Sequence, residues 1–135
     1  MLQLKNINIK LKKNGNFLFE NLNYTLQRGV KCAVIGEEGD GKSTLLKFIY
    51  DPQSVSEYCE VSGQAIKDGA SAYLPQFLDG KELNKTVMEY LDGVAVYENM
   101  RLLKNMKLSQ DIVFSEQKLN TLSGGERIKL RLFKL

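Results

Sequence analysis

The sequence predicts an α/β fold, and three observations carry that prediction. Residues 2–11 alternate apolar and polar side chains as a strand does, and 17–27 read as a second strand region. An apolar run at 32–35 leads into a glycine-rich turn and then a helical pattern. From residue 86 onward the apolar spacing is helical throughout. With 135 residues, 43% apolar and 26% charged, the chain is long enough for one domain with a real core and is ordinary in composition.

Leu2, Leu4, Ile7, Ile9 and Leu11 alternate with polar residues, with a slip near Lys5-Asn6 that marks a bulged strand. Asn14-Gly15 signals a hairpin, and Phe17 to Gln27 reads as the returning strand with Leu22, Tyr24 and Leu26 on one face. After Arg28-Gly29, Val30 to Ile35 is apolar on both faces, as a central parallel strand would be. Cys32, within it, is expected to be a small buried residue. A helix is predicted from Lys42 to Ile49, ended by Asp51-Pro52, then a loop over 53–60. Val61–Ile66 and Ala70–Leu74 read as short strands about the turn Lys67-Asp68-Gly69, and Pro75 ends the second. Thr86 and Glu89 stand at capping-box spacing. Val94–Lys107 is a helix candidate with Val96, Met100 and Leu103 on one side, and Asp111–Phe114 a short one. Ser123 and Glu126 repeat the capping-box spacing, with Ile128, Leu132 and Leu135 as the apolar face of a last helix.

Several functional classes are excluded or weakened. Net charge is only +3 and spread along the chain, too weak to argue for nucleic acid. Two cysteines and no histidine exclude a Cys/His zinc site, and a reduced, cytosolic setting fits. No apolar run reaches membrane-spanning length and no signal peptide opens the chain.

Chemistry concentrates at Gly36-Glu37-Glu38-Gly39-Asp40-Gly41-Lys42-Ser43-Thr44, which matches G-x-x-x-x-G-K-[ST], the phosphate-binding P-loop, in the strand–loop–helix context it requires. Gly36, Gly39 and Gly41 let the backbone approach phosphate oxygens. Successive N–H groups and the helix N-terminus form an anion concavity. Lys42 is placed to bridge β- and γ-phosphates, Ser43 to ligate Mg²⁺ and Thr44 to reach the α-phosphate. Glu37, Glu38 and Asp40 set three carboxylates around an anionic ligand. At ~8 Å in a water-like medium each pair of unit charges repels by only about 0.5 kcal/mol. Binding therefore survives if they point outward, whereas one pointing inward would reach the metal or block the site. A second glycine pair before a helix start, at Leu122-Ser123-Gly124-Gly125-Glu126, is another place where N–H groups can meet phosphate.

With both glycine sites in view, the chain resembles the ATP-binding cassette (ABC) ATPases over its whole length. Leu122 to Glu126 reads as the LSGGQ-type signature with Glu for Gln, and Tyr73-Leu74-Pro75-Gln76 as the entry to the Q-loop. The resemblance implies a P-loop NTPase core with an N-terminal antiparallel β portion and a helical subdomain, incomplete at the C-terminus. Residues 1–76 would form the β portion and P-loop core, 77–122 the helical subdomain, and 123–135 the signature and the start of its helix. It also implies ATP and Mg²⁺ as ligands, with Ser43 and Gln76 at the metal. A second cassette would pair head to tail, so that Ser123, Gly124, Gly125 and Glu126 serve the partner's ATP. The family stacks adenine on an aromatic upstream of the P-loop. Lys13 falls near that position, and Phe17 is the nearest aromatic, with a core role as its alternative.

Departures from the family pattern matter. A Walker B strand, its catalytic Glu and the switch histidine have no counterpart, so no catalytic residue is identified. The expectation is part of a longer cassette, with ATPase activity belonging to the intact protein and none to these 135 residues alone. Two branches compete: a soluble ribosome-associated protein, to which the short P-loop-to-Gln76 spacing and Thr86-Val87-Met88-Glu89-Tyr90-Leu91 lean, and a transporter subunit at the inner face of the membrane. A non-hydrolytic ATP-binding or regulatory module or remnant is the alternative.

Overall fold

The computed structural model describes residues 1–135, which form two compact units, Met1–Tyr73 and Leu74–Leu135. Each is taken on its own.

The first unit is built on a three-stranded antiparallel sheet in the order β2-β1-β3, with β1 Leu2–Leu11, β2 Phe17–Leu26 and β3 Cys59–Lys67. Strand β1 is central, and the slip expected near Lys5-Asn6 is real. Pairing jumps between Leu4 and Ile7 against β2 and between Lys5 and Asn8 against β3, and Asn6 takes φ 50°. The extra residue keeps Leu4, Ile7 and Ile9 on one buried face, which strict alternation would not. Asparagines satisfy the interrupted ladder: Asn23 Oδ1 accepts from Asn6 N at 2.9 Å and Asn8 Oδ1 from Asn21 N at 2.8 Å. The hairpin turn forms at Asn14-Gly15, where Gly15 has φ 72°.

Helix α1, Lys42–Tyr50, buries Leu45 and Phe48 on this sheet's core, together with Val55 and Cys59. Asp51 ends it and caps the 3-10 turn Pro52–Val55 through Gln53 N.

Two expected strands are absent. Residues 30–35 form no strand and are exposed, Ile35 at 91% and Cys32 with them, so the expectation of a buried Cys32 is overturned. A run apolar on both faces needs a parallel neighbour on each side, and the sheet of β1, β2 and β3 supplies none. Residues 70–74 also stay irregular. Gly69 turns the chain with φ 101°, but Tyr73 then stacks on Tyr50, ring centroids 5.6 Å apart, instead of entering a ladder.

The second unit is helical: α2 Gly80–Leu83, α3 Val87–Tyr90, α4 Met100–Asn105, α5 Gln110–Val113 and α6 Gly124–Lys134. Both capping boxes are complete, at Thr86/Glu89 and Ser123/Glu126. The helix expected over Val94–Lys107 is shorter. A 3-10 turn at Tyr97–Asn99 precedes α4, because Asn99 bonds its side chain to the Ala95 carbonyl and breaks the helical geometry. The core gathers Val87, Tyr90, Leu91, Leu103, Leu108, Val113, Leu119, Leu122, Leu130 and Phe133. On α6 the buried row is therefore Leu130 and Phe133, whereas Ile128, Leu132 and Leu135 are 49, 47 and 58% exposed. The helix carries two apolar rows, and the sequence expectation chose the outward one.

Candidate functional site

The P-loop, Gly36 to Thr44, runs into the first turn of α1. Gly41 is the N-cap, with φ 84° and no side-chain capping bond. The first backbone bond at this end runs from Leu45 N to Gly41 O, at 2.8 Å. The N–H groups of Lys42, Ser43 and Thr44 thus have no intrahelical acceptor, and the helix dipole adds its positive end there. Gly39 and Gly41 both lie in the left-handed region, at φ 95° and 84°. A side chain at Gly41 would also press on Leu18, 3.0 Å from where its Cβ would sit. Gly36 serves differently: its φ is ordinary, but a Cβ there would sit 2.6 Å from Asp40 Oδ2.

Lys42 curls over the loop. Its Nζ donates to the Gly36 carbonyl at 3.0 Å and to the Glu37 carbonyl. Of the three acidic residues, all exposed, Asp40 alone bonds back to the loop: its Oδ2 accepts from Glu37 N–H at 2.6 Å. Glu37 and Glu38 are exposed, as is Ser43, while Thr44 is half-buried.

A cleft of ≈ 490 Å³ lies against the loop, lined by Asn16, Phe17, Val34, Gly39, Asp40 and Lys42 among others. Phe17 is 51% exposed with Lys10 Nζ 5.7 Å from its ring centroid, so it is a half-open aromatic face on the edge strand, not a core residue. Gly39, Asp40 and Lys42 of the loop and the exposed Phe17 ring thus line one concavity.

In the second unit Gln76 is exposed, and its backbone carbonyl accepts from Arg131 Nη1 at 3.4 Å. Arg131 Nη2 donates to the Pro75 carbonyl. Arg131 is 7% exposed and no carboxylate pairs with it. This residue escaped the sequence reading. Its only signal was a cation beside Leu130 in the row that turned out to face inward. A smaller cleft of ≈ 210 Å³ joins Gln76, Phe77 and Leu83 to Gly124, Arg127 and Arg131 on α6.

The stretch Ser123–Glu126 is a tightly bonded cap. Glu126 Oε2 accepts from Ser123 N at 2.8 Å and from Ser123 Oγ at 2.7 Å, and Ser123 Oγ accepts from Glu126 N at 3.3 Å. These bonds hold the Glu126 carboxyl below the usual carboxylate range, the Ser123 hydroxyl foremost. The same device lowers Glu89 through Thr86, chiefly its backbone N–H. Gly124 and Gly125, the first two residues of α6, are exposed, with open space where a side chain would stand.

Comparison with known proteins matches this pattern. The family model described as ABC transporter fits residues 19–135. The chain is 31% identical to ABC transporter F family member 5 of Arabidopsis thaliana over 99% of its own length and 19% of that protein's. It is 31% identical to the phosphonates import ATP-binding protein PhnC of Lactobacillus johnsonii over 78% of its length and 39% of the relative's. It is 27% identical to the energy-dependent translational throttle protein EttA of Escherichia coli over 95% of its length and 24% of the relative's. It thus spans between roughly a fifth and two fifths of these proteins. ATPase domains of this family generally bind ATP with Mg²⁺ and pair with a second cassette. No helix is long and apolar enough to cross a membrane. The chain belongs to the ABC transporter family and carries the portion of its ATP-binding domain that runs from the P-loop to the signature.

Proposed function

We propose that Gly36 to Thr44 holds the phosphates of Mg-ATP, with Lys42 on the β- and γ-phosphates, Ser43 toward the metal, and Phe17 against the adenine. The observation that supports this most is the uncapped N-terminus of α1 opening, with Lys42, onto the same ≈ 490 Å³ cleft as the exposed Phe17 ring. Bound Mg²⁺ supplies charge neutralisation between phosphate oxygens. The chain's own groups orient the triphosphate and hold the base. Residues 1–76 act as the nucleotide core, 77–122 as the helical subdomain, and 123–135 present the signature. Ser123, Gly124, Gly125 and Glu126 then face the ATP of a second cassette arranged head to tail.

In the intact protein this domain couples ATP hydrolysis to conformational work on the cytoplasmic side. The soluble, translation-associated branch is the reading favoured here. The F family and EttA matches extend over nearly all of this chain, and the stretch Thr86-Val87-Met88-Glu89-Tyr90-Leu91 agrees with it. The transporter-subunit reading rests on the match to PhnC. Calorimetry of the 135-residue chain with Mg-ATP tests the site. Lys42→Ala is expected to weaken binding by about tenfold or more, the loss of one charge-assisted phosphate contact. Equal affinity in variant and parent would remove the P-loop from the site.

A further inference from the structure

The three carboxylates of the loop are not equivalent, and one of them is wired to the lysine. The Gly36–Glu37 peptide has two polar ends. Its carbonyl oxygen, on Gly36, accepts from Lys42 Nζ at 3.0 Å. Its N–H, on Glu37, donates to Asp40 Oδ2 at 2.6 Å. A single peptide unit thus lies between the ammonium and the carboxylate, its dipole aligned with both charges. Each contact polarises the peptide in the direction that strengthens the other. The loop closes further through Asp40 N to the Glu37 carbonyl, at 3.4 Å, and that carbonyl also takes Lys42 Nζ.

Glycine at 36 is what permits the arrangement, because a Cβ would stand only 2.6 Å from Asp40 Oδ2. All three carboxylates are exposed, where solvent screens their charge. Asp40 alone bonds back to the loop backbone and lines the cleft beside Lys42.

We propose that Asp40, acting through the Gly36–Glu37 peptide, is the internal counter-anion of Lys42 and sets the affinity of the site, because an incoming polyphosphate must draw the lysine away from that peptide. The inference rests on the P-loop being the nucleotide site. Lys42 approaches a phosphate only by leaving the Gly36 and Glu37 carbonyls. Doing so separates it from the aligned peptide and carboxylate, and the phosphate then lies near a second negative charge. Both effects lower affinity, and both scale with the charge on Asp40.

The test is Mg-ATP calorimetry on the parent, Asp40→Asn, Asp40→Ala, Lys42→Ala and Glu57→Gln. The Asn variant keeps an oxygen for Glu37 N–H and removes only the charge. Glu57 is exposed in a turn away from the loop's bonds, so its variant makes the same change in net charge without touching the loop. Asp40→Asn and Asp40→Ala are expected to bind about three- to tenfold more tightly than the parent. That gain should shrink between low and high salt, and Glu57→Gln should bind as the parent does. Circular dichroism and melting on each variant confirm the fold, and the isosteric Asn variant carries the test if the Ala variant unfolds. Affinity unchanged or weaker in Asp40→Asn, with Lys42→Ala still weakened, overturns the role of Asp40 and leaves the site reading standing. An equal gain in Glu57→Gln also overturns it, since net charge alone would then suffice. If Lys42→Ala binds as the parent does, the site reading itself falls and this inference with it.

Discussion

Replacing Arg131 by Met keeps the length and most of the volume of the side chain but removes its charge and its donors. Arg131 sits between Leu130 and the segment 75–76, donating to the carbonyls of Pro75 and Gln76. Hydrogen bonds from a charged donor contribute about 1.5–3 kcal/mol each. Two corrections reduce that sum. Gln76 is exposed, so water replaces the lost donor there, and burying a guanidinium without a carboxylate carries a desolvation cost that Met does not. The net expectation is a loss of about 1–2 kcal/mol. Arg131→Ala adds the lost packing of the stem and should cost about 1–2 kcal/mol more.

The assay is urea unfolding followed by circular dichroism, since the chain has no tryptophan. Limited trypsin digestion runs beside it. Lys81 lies exposed on α2, five residues past Gln76, so cleavage there reports on the segment that Arg131 holds. It should accelerate in Arg131→Met more than cleavage at Lys104 on α4, whose helix Arg131 does not touch. A variant as stable as the parent, with unchanged cleavage at Lys81, would refute the view that Arg131 fastens the Gln76 segment to the signature helix.

Other expectations are sharper in sign than in size. Glu89 and Glu126 both have carboxyls lowered from the ordinary value of 4.5 by their capping bonds. A folded value below the unfolded one gives stability that is present above about pH 4.5 and lost as pH falls through the folded values. Melting temperature should therefore drop below that pH, and Glu126→Gln, which keeps the box geometry, should flatten part of the drop. Gly63→Ala should destabilise the first unit by more than about 1 kcal/mol in the same urea assay, because Gly63 has φ 97° and a Cβ would collide with the Lys5 and Asn6 carbonyls at the bulge. Under native conditions one thiol should react quickly with a disulfide reagent and the second only on unfolding. Cys32 is exposed, whereas Cys59 is 2% exposed and burial pushes its thiol up.

What could be read from the sequence was what local chemistry decides. The slip at Lys5-Asn6, the Asn14-Gly15 turn and both capping boxes each depend on residues within a few positions of one another. Helix α1 was legible for the same reason, its start set by Gly41 and its end by Asp51-Pro52. Most of the failures concern which partner a segment meets. Residues 30–35 have a strand's composition, yet a strand exists only with a neighbour to bond. Helix α6 carries both Ile128/Leu132/Leu135 and Leu130/Phe133, and only packing selects between two apolar rows on one helix. In the site, the residue types around Lys42 were plain, but the separation of Asp40 from Glu37 and Glu38 was not. That depends on a hydrogen bond across three residues that composition cannot specify. Arg131 was missed because a cation is ordinarily a surface residue, and its acceptors are backbone carbonyls some 55 positions away.

One side-chain bond serves two ends in this chain, and glycine decides which. At Ser123 and Glu126, and at Thr86 and Glu89, a carboxylate three residues along reaches back to a backbone N–H. The intervening residues take helical conformations, so the bond becomes the first fastening of α6 or α3. At Glu37 and Asp40 the spacing and the bond are the same. There Gly39 and Gly41 stand at φ 95° and 84°, which no helix accommodates. Helix formation is postponed to Lys42, and the bond pins an open loop instead of starting a turn. Replacing Gly39 with a residue that prefers negative φ should therefore do more than strain one position. It should favour a helical continuation from Glu37 through Asp40, draw the free N–H groups of Lys42, Ser43 and Thr44 into intrahelical bonds, and remove the anion concavity. Gly39→Ala is then expected to gain helical ellipticity while losing Mg-ATP binding. Loss of binding without that gain would mean that the glycine serves only close approach, not the placement of the helix start.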